Sequence, residues 1–190
     1  MQAQRGTTQL IHGLLKAVGA GGLMGIVLVA PNTLQAFDSL GVFEATTPRQ
    51  RRNRLIAELR RQELILESRE DDQLRIQLTV KGIHRLQKME IDELTITKPK
   101  TWDQRWRMVV FDIPKDYKNQ RYIFVSQLRR LGFTMVRQST WYHPYPCFEI
   151  IDEIVRYAGL SQFVTVAEIV RLDESSSRKL LRAFPELSKR

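Results

Sequence analysis

Cysteine is almost absent from this chain. Cys147 stands alone, which excludes an internal disulfide and a cysteine-based zinc site and suits a reducing cytoplasm. Histidine is scarce too: His12, His84 and His143 lie far apart, and none has a second histidine or cysteine at metal-ligand spacing. A zinc or nucleophile constellation therefore has no support. A membrane span is also missing. The apolar run AVGAGGLMGIVLVA at residues 17–30, with His12 and Lys16 before it and Pro31 and Asn32 after it, falls short of the roughly 20 residues a spanning helix needs. As a secretory signal it would need cleavage after Ala30, yet Leu28 stands where a small residue is wanted and Pro31 follows. We expect a glycine-loosened buried helix or turn there, and a cytoplasmic protein with no membrane partner.

Negative charge is in deficit. Lys and Arg number 30 against 21 Asp and Glu, a net charge of +9, and the isoelectric point is near 10.0. That balance favours a polyanionic partner, nucleic acid above all, because each phosphate contact made by Lys or Arg releases condensed counterions. The excess is clustered. Arg49, Arg51, Arg52, Arg54, Arg60 and Arg61 fall within one short stretch opposed only by Glu58, while Leu55, Ile56 and Leu59 recur at the spacing of a buried helical face. On a helical projection Arg51, Arg54 and Arg61 point away from Leu55 and Leu59, with Arg49 and Arg60 flanking. Arg52 falls on the apolar side and must snorkel outward.

The surrounding pattern gives this helix its setting. Thr7 or Thr8 is expected to cap a first helix carrying Leu10, Ile11, Leu14, Leu15 and Val18; Leu34, Phe37 and Leu40 mark a short second helix stopped by Gly41. Thr47 and Pro48 open the arginine-rich third helix. Leu64, Ile65 and Leu66 begin a strand, Glu70, Asp71 and Asp72 supply a turn, and Leu74, Ile76 and Leu78 alternate with Arg75 and Gln77 in the return strand. Thr79 then caps a helix through Ile83, Leu86 and Met89. The order helix, helix, helix, strand, strand, helix resembles a winged helix-turn-helix, and LTVKG at 78–82 is typical of bacterial regulators of that class.

Composition changes at Trp102. Met108, Val109, Val110, Phe111 and Ile113 make a continuous apolar run of strand length ended by Pro114. Residues 118–131 read as a helix stopped by Gly132, with Phe124, Leu128 and Leu131 on one face; residues 133–142 read as a strand, with a further short strand near 141–145. Phe148, Ile151, Val155 and Ala158 mark another helix ending at Gly159, and residues 163–172 a last strand. With WRMVVFDIP at 106–114, LRRLGF at 128–133 and STWYHP at 139–144, this series resembles the PaaX family of transcriptional repressors. The resemblance implies an α+β protein: an amino-terminal winged helix joined to a ferredoxin-like βαββαβ domain related to the small CRISPR adaptation protein Cas2. The expected boundaries are a winged helix at 1–91, a connector at 92–101, a ferredoxin-like dimerisation domain at 102–174 and a tail at 175–190. Family members carry a further carboxy-terminal domain for which only residues 173–190 remain here, so their acyl-CoA effector is not carried over and any small-molecule effector stays unknown.

These readings set the expected sites. A DNA-binding repressor would use Arg49, Arg51, Arg52, Arg54, Arg60 and Arg61 on a recognition helix, with Arg69 and Arg75 of the wing near phosphates. A homodimer on double-stranded DNA is expected, with Val109, Phe111 and Trp141 at its interface. The alternative is a CRISPR-adaptation-like nuclease: the resemblance puts an acidic residue at Asp112, able to join a Mg²⁺ or Mn²⁺ site across a dimer axis, with Asp116 its only close acidic neighbour. Two facing copies of one aspartate are a sparse ligand set, and Asp112 has a simpler use in a local turn bond before Pro114. No cofactor is therefore expected, and enzymatic activity is the lesser reading beside a regulator or a non-specific nucleic-acid scaffold. Trp102, Trp106, Tyr122, Trp141, Tyr142 and Tyr145 are able to stack on single-stranded bases, but rings in strands and helices more commonly supply core.

Overall fold

The computed structural model describes residues 2–19, 26–28, 35, 49–70 and 73–187, with backbone alone for 2–10, 26–28, 70 and 73–75. The chain divides into two compact units, residues 1–90 and 91–190. The first unit opens with helix α1 (Gln2–Gly19). Thr7 and Thr8 lie inside this helix, so neither caps it. Strand β1 (Ile26–Leu28) follows, out of the apolar run from which a buried helix or turn was expected; of that run, residues 20–25 and 29–30 lie outside the described residues. So do the expected second helix, apart from Gln35, and the Thr47–Pro48 start of the third. Helix α2 (Arg49–Arg61) and strands β2 (Ile65–Glu70) and β3 (Gln73–Leu78) complete the unit's middle, and helix α3 (Val80–Glu93) leaves it.

The three strands pair antiparallel in the order β1-β3-β2. Ile26 sits opposite Ile76, and β2 pairs with β3 from Ile65–Leu78 to Glu70–Gln73, a tight wing. With the expected second helix outside the described residues, helix, strand, helix, strand, strand in this pairing matches the remaining elements of a winged helix. Leu14, Leu15 and Val18 of α1, Leu55, Ile56 and Leu59 of α2, and Leu64, Ile65 and Ile76 of the wing form one buried cluster. Heptad-like spacing in α2 and alternation in β2 and β3 thus converge on a single core.

Two backbone devices lock α2 to the wing and the wing to α3. At the end of α2 the Leu64 amide donates to the Leu59 carbonyl and the Glu63 amide to the Arg60 carbonyl, with Glu63 at φ 57, where glycine is usual. At the start of α3, Thr79 Oγ1 accepts from the Gly82 amide at 2.9 Å and donates to the Glu63 carbonyl at 2.5 Å. A Cβ on Gly82 would lie 2.1 Å from the Leu64 carbonyl oxygen. That is the physical content of LTVKG: a cap, and a glycine that lets the helix start touch backbone.

The second unit is a four-stranded antiparallel sheet in the order β5-β6-β4-β7. Its elements are β4 (Trp106–Phe111), α4 (Lys118–Arg130), β5 (Thr134–Arg137), β6 (Thr140–His143), α5 (Phe148–Ala158) and β7 (Val164–Ile169). This is the βαββαβ ferredoxin-like arrangement. Residues 133–142, expected as one strand, bend instead into a β5–β6 hairpin through Ser139 at φ 60. α4 and α5 each end on a left-handed glycine, Gly132 at φ 86 and Gly159 at φ 67.

The sheet is covered on both faces. Val109, Phe111 and Trp141 pack under Phe124 and Leu128 of α4 and Ile151, Ile154 and Val155 of α5. On the other face Trp106 and Tyr142 meet Leu180 and Phe184. Leu180 belongs to helix α6 (Glu174–Ala183), capped by Asp173 accepting from the Ser176 amide, and Phe184 follows its end, in the segment expected to be a tail. The 92–101 connector likewise differs: Leu94 and Ile96 pack on the second unit's core.

Candidate nucleic-acid interface

Burial of Leu55, Ile56 and Leu59 fixes which side of α2 faces out. Arg49, Arg51, Arg54, Arg60 and Arg61 are exposed, and Arg52 is half-buried, as its place on the apolar side requires. The exposed arginines divide further by their partners. Arg61 donates to both Glu58 carboxylate oxygens through its Nε and Nη2, at 2.8 and 2.5 Å, and Gln62 adds a bond at 2.5 Å. These bonds, Arg61 first, pull the Glu58 carboxyl down to about 2. Arg60 reaches Glu67 of the wing at 3.5 Å. Arg49, Arg51 and Arg54 have no side-chain partner among the described residues. The uncompensated charge therefore sits in the first half of α2, where the helix N-terminus adds positive potential of its own.

On the wing, Arg69 is exposed on β2, while Arg75 pairs with Ser68 across β2–β3 and its side chain lies outside the described residues. The eight arginines singled out by sequence are thus brought onto adjoining parts of one unit, α2 and its wing, with Arg52, Arg60 and Arg61 already engaged in packing or ion pairs.

The second unit treats the other expected residues differently. Val109, Phe111 and Trp141 are 0, 6 and 5% exposed beneath α4 and α5. Their side chains are already covered by their own chain, so a partner subunit cannot bury them again. The expectation failed because a continuous apolar strand reads the same whether helices or a second copy cover it. Asp112 is exposed at the end of β4; its amide donates to the Phe163 carbonyl at 3.0 Å, while its carboxylate makes no side-chain bond among the described residues. The expected local turn bond is absent too. Among the described residues no group of three or more His, Cys, Asp or Glu is placed to hold a metal ion.

The signature motifs of this unit prove to be packing devices. Arg107, 3% exposed, donates to Asp103 at 2.9 and 2.5 Å, to the Pro144 and Arg105 carbonyls at 3.0 Å each, and to Glu168 at 3.2 Å. Arg130 ties α4 to the Ile91 and Leu94 carbonyls. His143 is buried, its Nδ1 accepting from the Tyr145 amide at 3.1 Å, and desolvation drives it down to about 4, so it is neutral. Burial likewise pushes the Cys147 thiol up to about 12, an inert core thiol. Of the six aromatics weighed for base stacking, Trp106, Trp141, Tyr142 and Tyr145 are buried and Trp102 half-buried. Tyr122 alone is exposed, at 76%. Sequence inspection missed the Arg107 network; a lone arginine inside an apolar strand, with Asp103 four residues earlier, was the available signal.

No helix among the described residues is long and apolar enough to cross a membrane. Residues 99–181 match the family model described as the PaaX protein central Cas2-like domain. No curated protein matches the chain. Over those residues the chain is similar to the PaaX central domain, and the ferredoxin-like sheet and its motifs carry the likeness.

Proposed function

We propose that this PaaX-like chain is a DNA-binding transcriptional regulator that sets α2 in the major groove of double-stranded DNA, with the β2–β3 wing beside a phosphate backbone. The observation that carries this reading is the free cationic half of α2. Arg49, Arg51 and Arg54 are exposed and unpaired among the described residues on a helix whose opposite face is anchored in the core. A rigid element with unspent guanidinium groups matches what phosphate and guanine-edge contacts require. Family likeness in the second unit supports the regulatory role, since PaaX proteins are generally transcriptional regulators. We further propose that the protein acts as a homodimer, which would pair two recognition helices with a two-fold site.

Selection of bound duplexes from a random pool tests the reading. An enriched two-fold motif is expected; recovery of the pool without enrichment would overturn it in favour of a scaffold without sequence preference. Light scattering at micromolar concentration should give twice the chain mass, and a monomer would remove the dimer.

A further inference from the structure

Helix α4 carries a second cationic surface, unrelated to α2. Its sequence, KNQRYIFVSQLRR, has no acidic residue. Lys118, Tyr122, Val125 and Arg129 recur at four-, three- and four-residue steps, one stripe down the helix about 16 Å long. That stripe lines a groove of about 410 Å³ between α4 and the β5–β6 hairpin, together with Arg121 and Met135, and none of the lining residues is acidic. Arg121 lies over the Phe111 ring and Arg129 over Trp141, each 5.9 Å from the centroid, so both guanidinium groups are held at the groove. Between them the Tyr122 ring stands free to solvent. A large exposed ring set between cations has no packing purpose in this fold, because α4 is anchored by Phe124 and Leu128 on its other side.

We infer that this groove binds single-stranded nucleic acid, Tyr122 stacking on a base while Lys118, Arg121 and Arg129 take the adjoining phosphates. Cations along a groove with an exposed stacking platform are the combination that single strands need, and a duplex, whose bases are already stacked, gains nothing from the ring. The inference stands apart from the α2 reading and does not depend on it.

Fluorescence anisotropy of the full chain with labelled oligodeoxythymidine provides the test. Tyr122→Ala should weaken binding by about fivefold or more, and Tyr122→Phe, which keeps the π-face, should stay within about twofold of the parent. Lys118→Ala with Arg121→Ala should weaken it further and reduce its salt dependence. The loss caused by Tyr122→Ala should be the same in an Arg51→Ala, Arg54→Ala background, so failure of the α2 reading would not register here. Equal affinity for parent and Tyr122→Ala overturns the proposal, as does equal weakening toward strand and duplex. A second copy docking here through its oppositely charged Glu149 and Asp152 groove would show instead as a dimer dissociated by Tyr122→Ala with strand affinity unchanged, which also overturns it.

Discussion

Gly82→Ala is the sharpest probe of how the winged unit is built. The added Cβ would meet the Leu64 carbonyl oxygen at 2.1 Å and its carbon at 3.0 Å. Carbon–oxygen contacts settle at about 3.3 Å, so β2's entry and the start of α3 must separate by about 1 Å. Those are the same atoms that hold the wing to α3, since the Leu64 carbonyl also accepts from the Thr79 amide at 3.0 Å. Overpacking costs about 1 to 3 kcal/mol and a weakened backbone bond about 1, against a gain of up to about 1 from replacing a helical glycine. A net loss of about 2 kcal/mol follows, which in a unit of this size lowers the melting midpoint by about 10 °C. Thermal unfolding with hydrogen exchange on the full chain would localise the effect: the amides of β2, β3 and α3 should lose protection while those of β4 and β6 keep theirs. A midpoint within about 1 °C of the parent and unchanged exchange would refute the close approach.

Other consequences follow from the same geometry. His143 is depressed from 6.5 to about 4 in the folded chain, so the unfolded state takes up a proton that the folded state refuses. The His143 contribution to stability should therefore be level above about pH 6.5, fall by on the order of 3 kcal/mol as pH drops toward about 4, and level off below; denaturant midpoints should fall less steeply across that window in His143→Gln. Arg107→Leu leaves Asp103, Glu168 and two carbonyls without their cation and should cost about 3 kcal/mol in urea unfolding, with Arg107→Lys recovering only part because it lacks the planar fork. Glu63→Gly should raise the unfolding free energy read by urea denaturation by about 1 kcal/mol, since Glu63, at φ 57, occupies a left-handed conformation that glycine adopts without penalty. Cys147 should resist thiol reagents in the native protein and react on unfolding, because it is 1% exposed.

Much of this architecture was legible in the sequence because local signals and the core agree. Leu55, Ile56 and Leu59 set the face of α2, alternation in 74–78 set the wing, and Gly132 and Gly159 stopped their helices. The misses have physical reasons. β1 arises from a glycine-rich run whose strand pairing with β3 is nonlocal and leaves no periodic trace in three residues. Helix α6 hides in a charged segment because its apolar contacts are few, chiefly Leu180 and Leu181 with Phe184 just past its end. At the interface the projection gave the outward arginines, but not which of them Glu58 and Glu67 would occupy, because ion pairing depends on side-chain reach rather than on spacing alone.

The central claim is that the free half of α2 contacts duplex phosphates. Duplex affinity measured across a salt series for the parent and for Arg51→Ala with Arg54→Ala tests it most directly. Loss of two phosphate contacts predicts weaker binding and a log–log salt slope shallower by about 1.8. An unchanged affinity and slope would take α2 out of the interface and contradict the account.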